Sequence, residues 1–248
     1  HGFEVEVCEG VECLADKEKL MTYDLLVPCV TGSTIPREYE QNDFYPDEYY
    51  RIEIKDGKIL IATKGDQGKF YAEQTLRQMA VMGKVPCCII TDLPEFPYRG
   101  FMIDSARHMQ TIEEIKKYIE AAALFKFNVF HWHLCDDQGF RIESEKYPLL
   151  NEKGSWRSCH GFGSKNMEKY GGYYTKEEIR DIIAFCKERF IEVIPEIDMP
   201  GHTTAVVSSY PELSCRGVQI PLETTGGIFK NILCAGKEEV YEFCYGLL

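Results

Sequence analysis

Three short polar clusters, each at the end of an apolar run, hold the side chains with which this chain could do chemistry. Asp104-Ser105-Ala106-Arg107-His108 follows the run Phe101 to Ile103, and Asp136-Asp137-Gln138-Gly139 follows Val129, Phe130, Trp132 and Leu134. Glu196, Asp198 and His202 close the run Phe190 to Ile197. The fork of donors on Arg107 suits hydroxyls or a carboxylate; the plainer alternative is an ion pair with Asp104. His202 could move a proton or orient a carboxylate, with Asp136 or Asp198 fixing its tautomer, or it could be an ordinary loop or capping histidine. Asp137 and Glu196 stand beside these groups as secondary candidates. His131 and His133 have the spacing of a metal pair on a strand. On a regular strand, however, both face away from Phe130, Trp132 and Asp136, so no metal and no cofactor is expected.

The elements that must position these groups are legible from periodicity. The β-rich apolar runs predict strands. Thr111 and Glu114 form a capping box ahead of Ile115, Tyr118, Ile119, Ala122 and Phe125 at helical spacing. Thr175 and Glu178 repeat it ahead of Ile179, Ile182, Ile183 and Cys186. Alternating strands and helices with apolar strands imply a parallel sheet. Such sheets gather their functional groups at the carboxyl ends of the strands. One polar strand end is an ordinary turn; three on one rim describe a site. The Gly-rich stretch from Gly154 to Gly172 is too long for an idle connection and is expected to be an active-site loop. Upstream, Val5 to Met82 reads as a small α+β unit. Tyr49 to Ile54 alternates, Asp56-Gly57 turns the chain into Lys58 to Ala62, a helix carries Ala72, Leu76 and Met79, and Cys88 to Ile90 adds a strand. This unit holds no clustered chemistry, so its expected role is support. Pro94 and Pro97 bracket the boundary, which gives residues 1–96 as a non-catalytic α+β domain and 97–248 as an α/β domain.

Composition sets outer limits. With 248 residues, 44% hydrophobic and 27% charged, the chain can bury a real core. A net charge of −12 argues against nucleic acid as a partner, because phosphate binding needs a basic face. No apolar run approaches the ~20 residues of a membrane span and no signal-like stretch opens the sequence, so no membrane partner is expected. The 11 cysteines form no CxxC pair, the nearest spacings being Cys8 to Cys13 and the adjacent Cys87 and Cys88. They read as core filler, and the odd number favours a reducing, cytoplasmic setting.

The strings YRGFMIDSARH, FNVFHWHLCDDQGFRIESEKYPLL and GGYYTKEEIRDIIAFCKERFIEVIPEIDMPGH, in this order and spacing, resemble glycoside hydrolase family 20, the β-N-acetylhexosaminidases. The earlier string EYYRIEIKDGKILIATKGDQGKFYAEQTLRQM is similar to the small α+β domain that precedes the barrel in that family. The likeness covers nearly the whole chain and is weakest before about Asp47. It implies a (β/α)8 TIM barrel that removes terminal N-acetylglucosamine or N-acetylgalactosamine with retention. The substrate's own acetamido oxygen is then the nucleophile, an exception to the two-carboxylate scheme. The resemblance implies that Arg107 binds sugar hydroxyls, that Asp136 and His202 form a hydrogen-bonded chain to the general acid, and that Asp198 sits beside the catalytic aspartate. The implied partner is an N-acetylhexosamine-terminated oligosaccharide or glycoconjugate.

In the family, an Asp-Glu pair supplying the acetamide-orienting aspartate and the general acid ends the strand after the third. These residues stop at Leu248, in what reads as the helix before that strand (Lys237 to Leu248), and their one Asp-Glu pair, Asp47-Glu48, lies far upstream. Three β/α units after Arg99 also cannot close a barrel of eight, which takes ~250 residues. The expectation is therefore a truncated fragment, inactive alone. The alternatives are a non-catalytic carbohydrate-binding or interaction module derived from that fold, then a metal-dependent barrel hydrolase.

Overall fold

The computed structural model describes residues 47–55, 58–81 and 85–247. Cys8, Cys13 and the Asp56-Gly57 turn lie outside the described residues. The chain divides into two compact units, residues 1–99 with 120–128, and residues 100–119 with 129–248.

In the first unit, β1 (Tyr50–Lys55) is the centre of an antiparallel sheet, with β2 (Lys58–Thr63) on one side and β3 (Cys88–Asp92) on the other. Its alternation decides which face is covered. Tyr50, Ile52 and Ile54 are buried while Arg51 and Glu53 are only half-buried, and Ile52 sits opposite both Ile61 and Ile90. Helix α1 (Asp66–Ala80) adds Tyr71, Ala72 and Leu76 to that core, with Met79 partly buried at its margin. A Cβ on Gly68 would come within 2.3 Å of the Tyr49 carbonyl oxygen, so only glycine permits this approach. Glu48 is buried and accepts from Gln67 and Tyr71 while pairing with Arg99. Its carboxylate is thus committed to this unit's own packing.

The second unit is built on a parallel sheet. Strand β4 (Gly100–Asp104) and strand β9 (Glu192–Ile197) flank β5 (Val129–Asp136). Helix α2 (Ile112–Leu124) connects β4 to β5, and its capping box is formed as Thr111 Oγ1 accepts from the Glu114 N–H at 3.2 Å while Glu114 Oε2 accepts from the Thr111 N–H at 2.8 Å. Its core face is narrower than its apolar spacing implies: Ile115 and Ile119 are buried, whereas Tyr118 and Phe125 are exposed.

Between β5 and the next helix the chain makes a long excursion. It contains β6 (Gly139–Phe140) returning against β5, the short helix α3 (Leu149–Glu152), and the antiparallel pair β7 (Trp156–Ser158) and β8 (Lys169–Gly171). The stretch from Gly154 to Gly172, expected to be an active-site loop, thus holds a two-stranded ribbon. Helix α4 (Lys176–Lys187) follows, with a complete Thr175/Glu178 capping box; it buries Ile182 and Cys186 but leaves Ile183 exposed. Phe190, in the left-handed region at φ 57, closes that helix, so β9 starts at Glu192 rather than at Phe190. After β9 come α5 (Thr204–Ser209), a 3-10 turn at Pro211–Leu213 and α6 (Glu238–Leu247). No helix among the described residues is long and apolar enough to cross a membrane.

Candidate active site

Strand register brings the first polar groups into one row. Asp104 on β4 is paired with His133 on β5, and His133 with Glu196 on β9. One step earlier, Met102, His131 and Ile194 form the parallel row on the same face. The expectation that His133 and Asp136 face opposite sides fails here. The pairing of β5 with β9 shifts register between His133 and Cys135, and this irregularity breaks the alternation. As a result His133 Nε2 lies 3.0 Å from Asp136 Oδ2, three residues along the same strand.

Asp136 is the hub. It is 1% exposed, and both its oxygens accept from donors. Arg107 Nη2 reaches Oδ2 at 2.5 Å, His202 Nδ1 reaches Oδ1 at 3.0 Å, and the Asp137 N–H donates to Oδ1 at 2.6 Å. Burial alone would raise the Asp136 pKa, but the bond from His133, the Asp137 N–H and the charges of Arg107 and His202 hold it below the usual carboxylate range. His202 Nδ1 also lies 3.1 Å from Asp137 Oδ2. The other Asp137 oxygen accepts from the Thr204 N–H at 3.0 Å and hydroxyl at 2.7 Å, so the start of α5 fixes this carboxylate. Burial opposes charge on His202, and the two carboxylates outweigh it and raise its pKa. His202 itself has a left-handed backbone, φ 53.

His133 works against its burial more strongly. Nδ1 lies 3.0 Å from Glu196 Oε2, and the bonds to Asp136 and Glu196 push its pKa up to about 9. Both ring nitrogens then donate, so the 3.0 Å approach of Arg107 Nη1 to Nε2 is two cations packed over one carboxylate rather than a bond between them. Glu196 Oε2 is shared with His131 Nε2. Its pKa is lowered, against its burial, by the bond from His133. Asp198 hydrogen-bonds Glu196, and burial together with that neighbouring negative charge raises the Asp198 pKa. Arg107 donates to Asp104 at 2.8 Å. The ion-pair reading of Arg107 and its place beside Asp136 therefore hold together, because one guanidinium has donors for both.

Of the candidate residues, Arg107, Asp136, Asp137 and His202 make one contiguous group, and Glu196 and Asp198 join it through His133. Sequence reasoning weighed His131 and His133 only as a metal pair and set His133 on the face away from Asp136, and it missed Arg141. Arg141 is 0% exposed and faces only carbonyl oxygens: those of Ser105 at 3.0 Å, Ala106 at 2.8 Å, Ser155 at 2.6 Å and Gly172 at 3.0 Å. Burial lowers its pKa to about 10, which keeps it charged at neutral pH. It fixes the two residues before Arg107 against the ribbon of β7 and β8. Arg157 assists by donating to the Arg107 carbonyl at 2.9 Å. A Cβ on Gly139 would lie 2.3 Å from the Arg141 guanidinium, so glycine leaves the room for it.

Two groups have the composition of a metal site, His133 with Asp136 and Asp198, and Asp136 with Asp137 and His202. In both, Asp136 already accepts from cationic donors, which compete with a metal ion for the same lone pairs.

These shifts set a pH window. The His133 value is raised from 6.5 to about 9, so its contribution to stability is full below 6.5 and fades as pH rises through about 9. Asp136 runs the other way, contributing above its unfolded value of ~3.9 and losing that contribution as acid reaches its depressed folded value. Both contribute fully between about pH 4 and 6.5. In an NMR titration, His133 should therefore change charge well above 6.5, and Asp136→Asn should move its midpoint down. A wild-type midpoint at or below 6.5 would remove the imidazolium from the site.

Residues 96–248 match the family model described as "Glycosyl hydrolase family 20, catalytic domain", and residues 22–93 match "Glycosyl hydrolase family 20, domain 2". The chain belongs to glycoside hydrolase family 20. A β-hexosaminidase of Porphyromonas gingivalis is 41% identical over 208 residues, covering 79% of this chain and 26% of that protein. One from Akkermansia muciniphila is 39% identical over 200 residues, covering 78% of this chain and 40% of its own length. Among solved structures, a Streptomyces plicatus N-acetyl-β-hexosaminidase superimposes with a TM-score of 0.74 at 37% identity, covering 82% of this chain and 42% of that one. The Vibrio harveyi family 20 exo-β-N-acetylglucosaminidase in complex with N-acetylglucosamine gives 0.70 at 36% identity, over 81% and 33% of the two chains. This family 20 chain thus spans less than half the length of these relatives. Its fold is a small α+β domain and the first three β/α units of a TIM barrel.

Proposed function

We propose that this family 20 chain is part of a β-N-acetylhexosaminidase that removes terminal N-acetylglucosamine or N-acetylgalactosamine with retention, the substrate's acetamido oxygen acting as nucleophile. One observation carries the reading: a buried aspartate, Asp136, joins an arginine and a histidine that come from different strand ends of one parallel sheet. In this reading Arg107 binds sugar hydroxyls in the first subsite, since its guanidinium is partly exposed and has more donors than Asp104 and Asp136 use. Asp136 holds the Nδ1 side of His202, which leaves Nε2 for the general acid. Asp137 steadies His202 from the side. Asp198 and Glu196 adjoin the acetamide-orienting aspartate. That aspartate and the general acid, the family's Asp-Glu pair, are absent from these 248 residues. We also propose that residues 1–96 are a supporting domain, with catalysis belonging to the barrel that begins at 97.

The relatives are named β-hexosaminidase, and the Vibrio harveyi enzyme was crystallised with N-acetylglucosamine. This supports an N-acetylhexosamine-terminated oligosaccharide or glycoconjugate as the substrate class. The test is Arg107→Ala in the full-length protein that contains this chain. A charge-assisted bond to a sugar hydroxyl is worth about 1.5–3 kcal/mol, so kcat/KM on an aryl N-acetyl-β-glucosaminide should fall roughly 10- to 100-fold while the far-UV circular dichroism stays unchanged. An unaltered kcat/KM would take Arg107 out of the subsite. Sugar binding without any turnover by the wild-type full-length protein would favour a carbohydrate-binding module instead.

A further inference from the structure

The turn that joins β7 to β8 is built against its own chemistry. Gly161 and Ser164 exchange both backbone hydrogen bonds, at 3.0 and 2.9 Å, so Phe162 and Gly163 are the central residues of a two-residue hairpin turn. Both have positive φ, 48 and 86. Asparagine, aspartate or glycine suits the first of these positions, and a phenylalanine there is strained. Burial does not offset the strain, since Phe162 is 39% exposed.

The surroundings hold this ring at the rim of the candidate site. The Arg157 guanidinium lies over it, 5.2 Å from the centroid, and over the Tyr170 ring at 4.6 Å. Arg157 is the same residue that donates to the Arg107 carbonyl. The His108 ring meets Phe162 edge-on at 4.9 Å, and His108 directly follows Arg107. On the other flank, a Cβ on Gly161 would meet the Thr224 carbonyl oxygen at 1.6 Å, and one on Gly226 would stand 3.7 Å from Phe162 Cε1. The residues around that contact rest on the end of β5. The Glu223 N–H donates to the Asp137 carbonyl at 3.2 Å, and Gln138 Nε2 donates to the Thr225 carbonyl at 2.8 Å. Phe162 is thus clasped between the segment that carries Arg107 and the one seated on Asp137 and Gln138.

We propose that Phe162 is a specificity-determining residue, a stacking platform for the sugar on the leaving-group side of the scissile bond. The proposal rests on the glycosidase reading of the site. With Arg107 on the hydroxyls of the terminal N-acetylhexosamine, a ring fixed to the next residue along the rim meets whatever that sugar is attached to. A neutral pyranose suits it. Such a ring presents a face of C–H groups to the negative face of an aromatic side chain, while its hydroxyls stay in water. Arg157 occupies one face of Phe162 and fixes its plane, so the ring is set before a ligand arrives.

The test uses the full-length protein that contains this chain and compares N,N′-diacetylchitobiose with methyl N-acetyl-β-glucosaminide, whose leaving group is too small to reach beyond the terminal sugar. Phe162→Asn removes the ring and supplies a residue that the turn accepts. It should lower the ratio of kcat/KM for the disaccharide to that for the methyl glycoside by about 3- to 10-fold, the size of one aromatic contact. Phe162→Tyr keeps the aromatic face and should keep the ratio. Both substrates are read on one preparation, so the folded fraction cancels. An unchanged ratio in Phe162→Asn, or an equal fall in Phe162→Tyr, overturns the platform and leaves the glycosidase reading standing. Wild-type protein that cleaves neither substrate would overturn that reading, and the platform with it.

Discussion

A polypeptide of these 248 residues should give no detectable hydrolysis of an aryl N-acetyl-β-glucosaminide. It carries Arg107, Asp136 and His202, but after His202 its sequence contains no adjacent Asp-Glu pair. Loss of proton donation to the leaving oxygen alone costs about 10²- to 10⁴-fold, and the group that orients the acetamide is lost with it. The upstream pair offers no substitute, because Glu48 is engaged with Arg99, Tyr71 and Gln67. The measurement is release of the aryl alcohol by repurified polypeptide, with Arg107→Ala as a control for host enzyme. Turnover that survives repurification and vanishes in that variant would mean that the acid lies within these residues.

Arg141→Met should be among the most destabilising single changes in the second unit, lowering unfolding free energy by about 3–5 kcal/mol. Methionine fills most of the volume and removes the cost of a buried charge. It donates nothing, however, to the carbonyls of Ser105, Ala106 and Gly172, and each buried acceptor left unpaired costs about 1–3 kcal/mol. Ser155 keeps the Gly172 N–H at 3.1 Å and suffers less. Arg141→Lys should recover only part of the loss, since one ammonium cannot span carbonyls arranged around a planar fork. Denaturant midpoints of the three proteins give the comparison. A shift below about 1 kcal/mol for Met would mean that the carbonyls find other donors and that Arg141 does not hold the Arg107 segment.

The sequence made some of this readable and hid the rest for physical reasons. Local signals were reliable where one short-range interaction decides the structure. Both capping boxes are formed, because Thr and Glu three residues apart satisfy each other's end of the helix whatever packs nearby. The polar ends of the three strands were legible because an apolar strand cannot continue through adjacent carboxylates. His133 was hidden by the irregular step in β5, since alternation is a valid guide only in a regular strand. Arg141 lies in a polar stretch, FRIESEKY, and nothing in a linear string distinguishes it from a surface arginine. Tyr118, Phe125 and Ile183 share the helical spacing of their buried neighbours, and all three are exposed. The helical period marks which residues share a flank but not how much of that flank is covered.

His202 has one further consequence. A left-handed backbone costs an ordinary side chain roughly 1–2 kcal/mol, and glycine or asparagine would occupy φ 53 with far less strain. A chain optimised for folding alone would place one of those there. The imidazole is kept in spite of its backbone, and its contacts with Asp136 and Asp137 are what the strain secures. Stability and ring placement are therefore opposed at this residue, and a thermostabilising screen blind to activity would discard the histidine early.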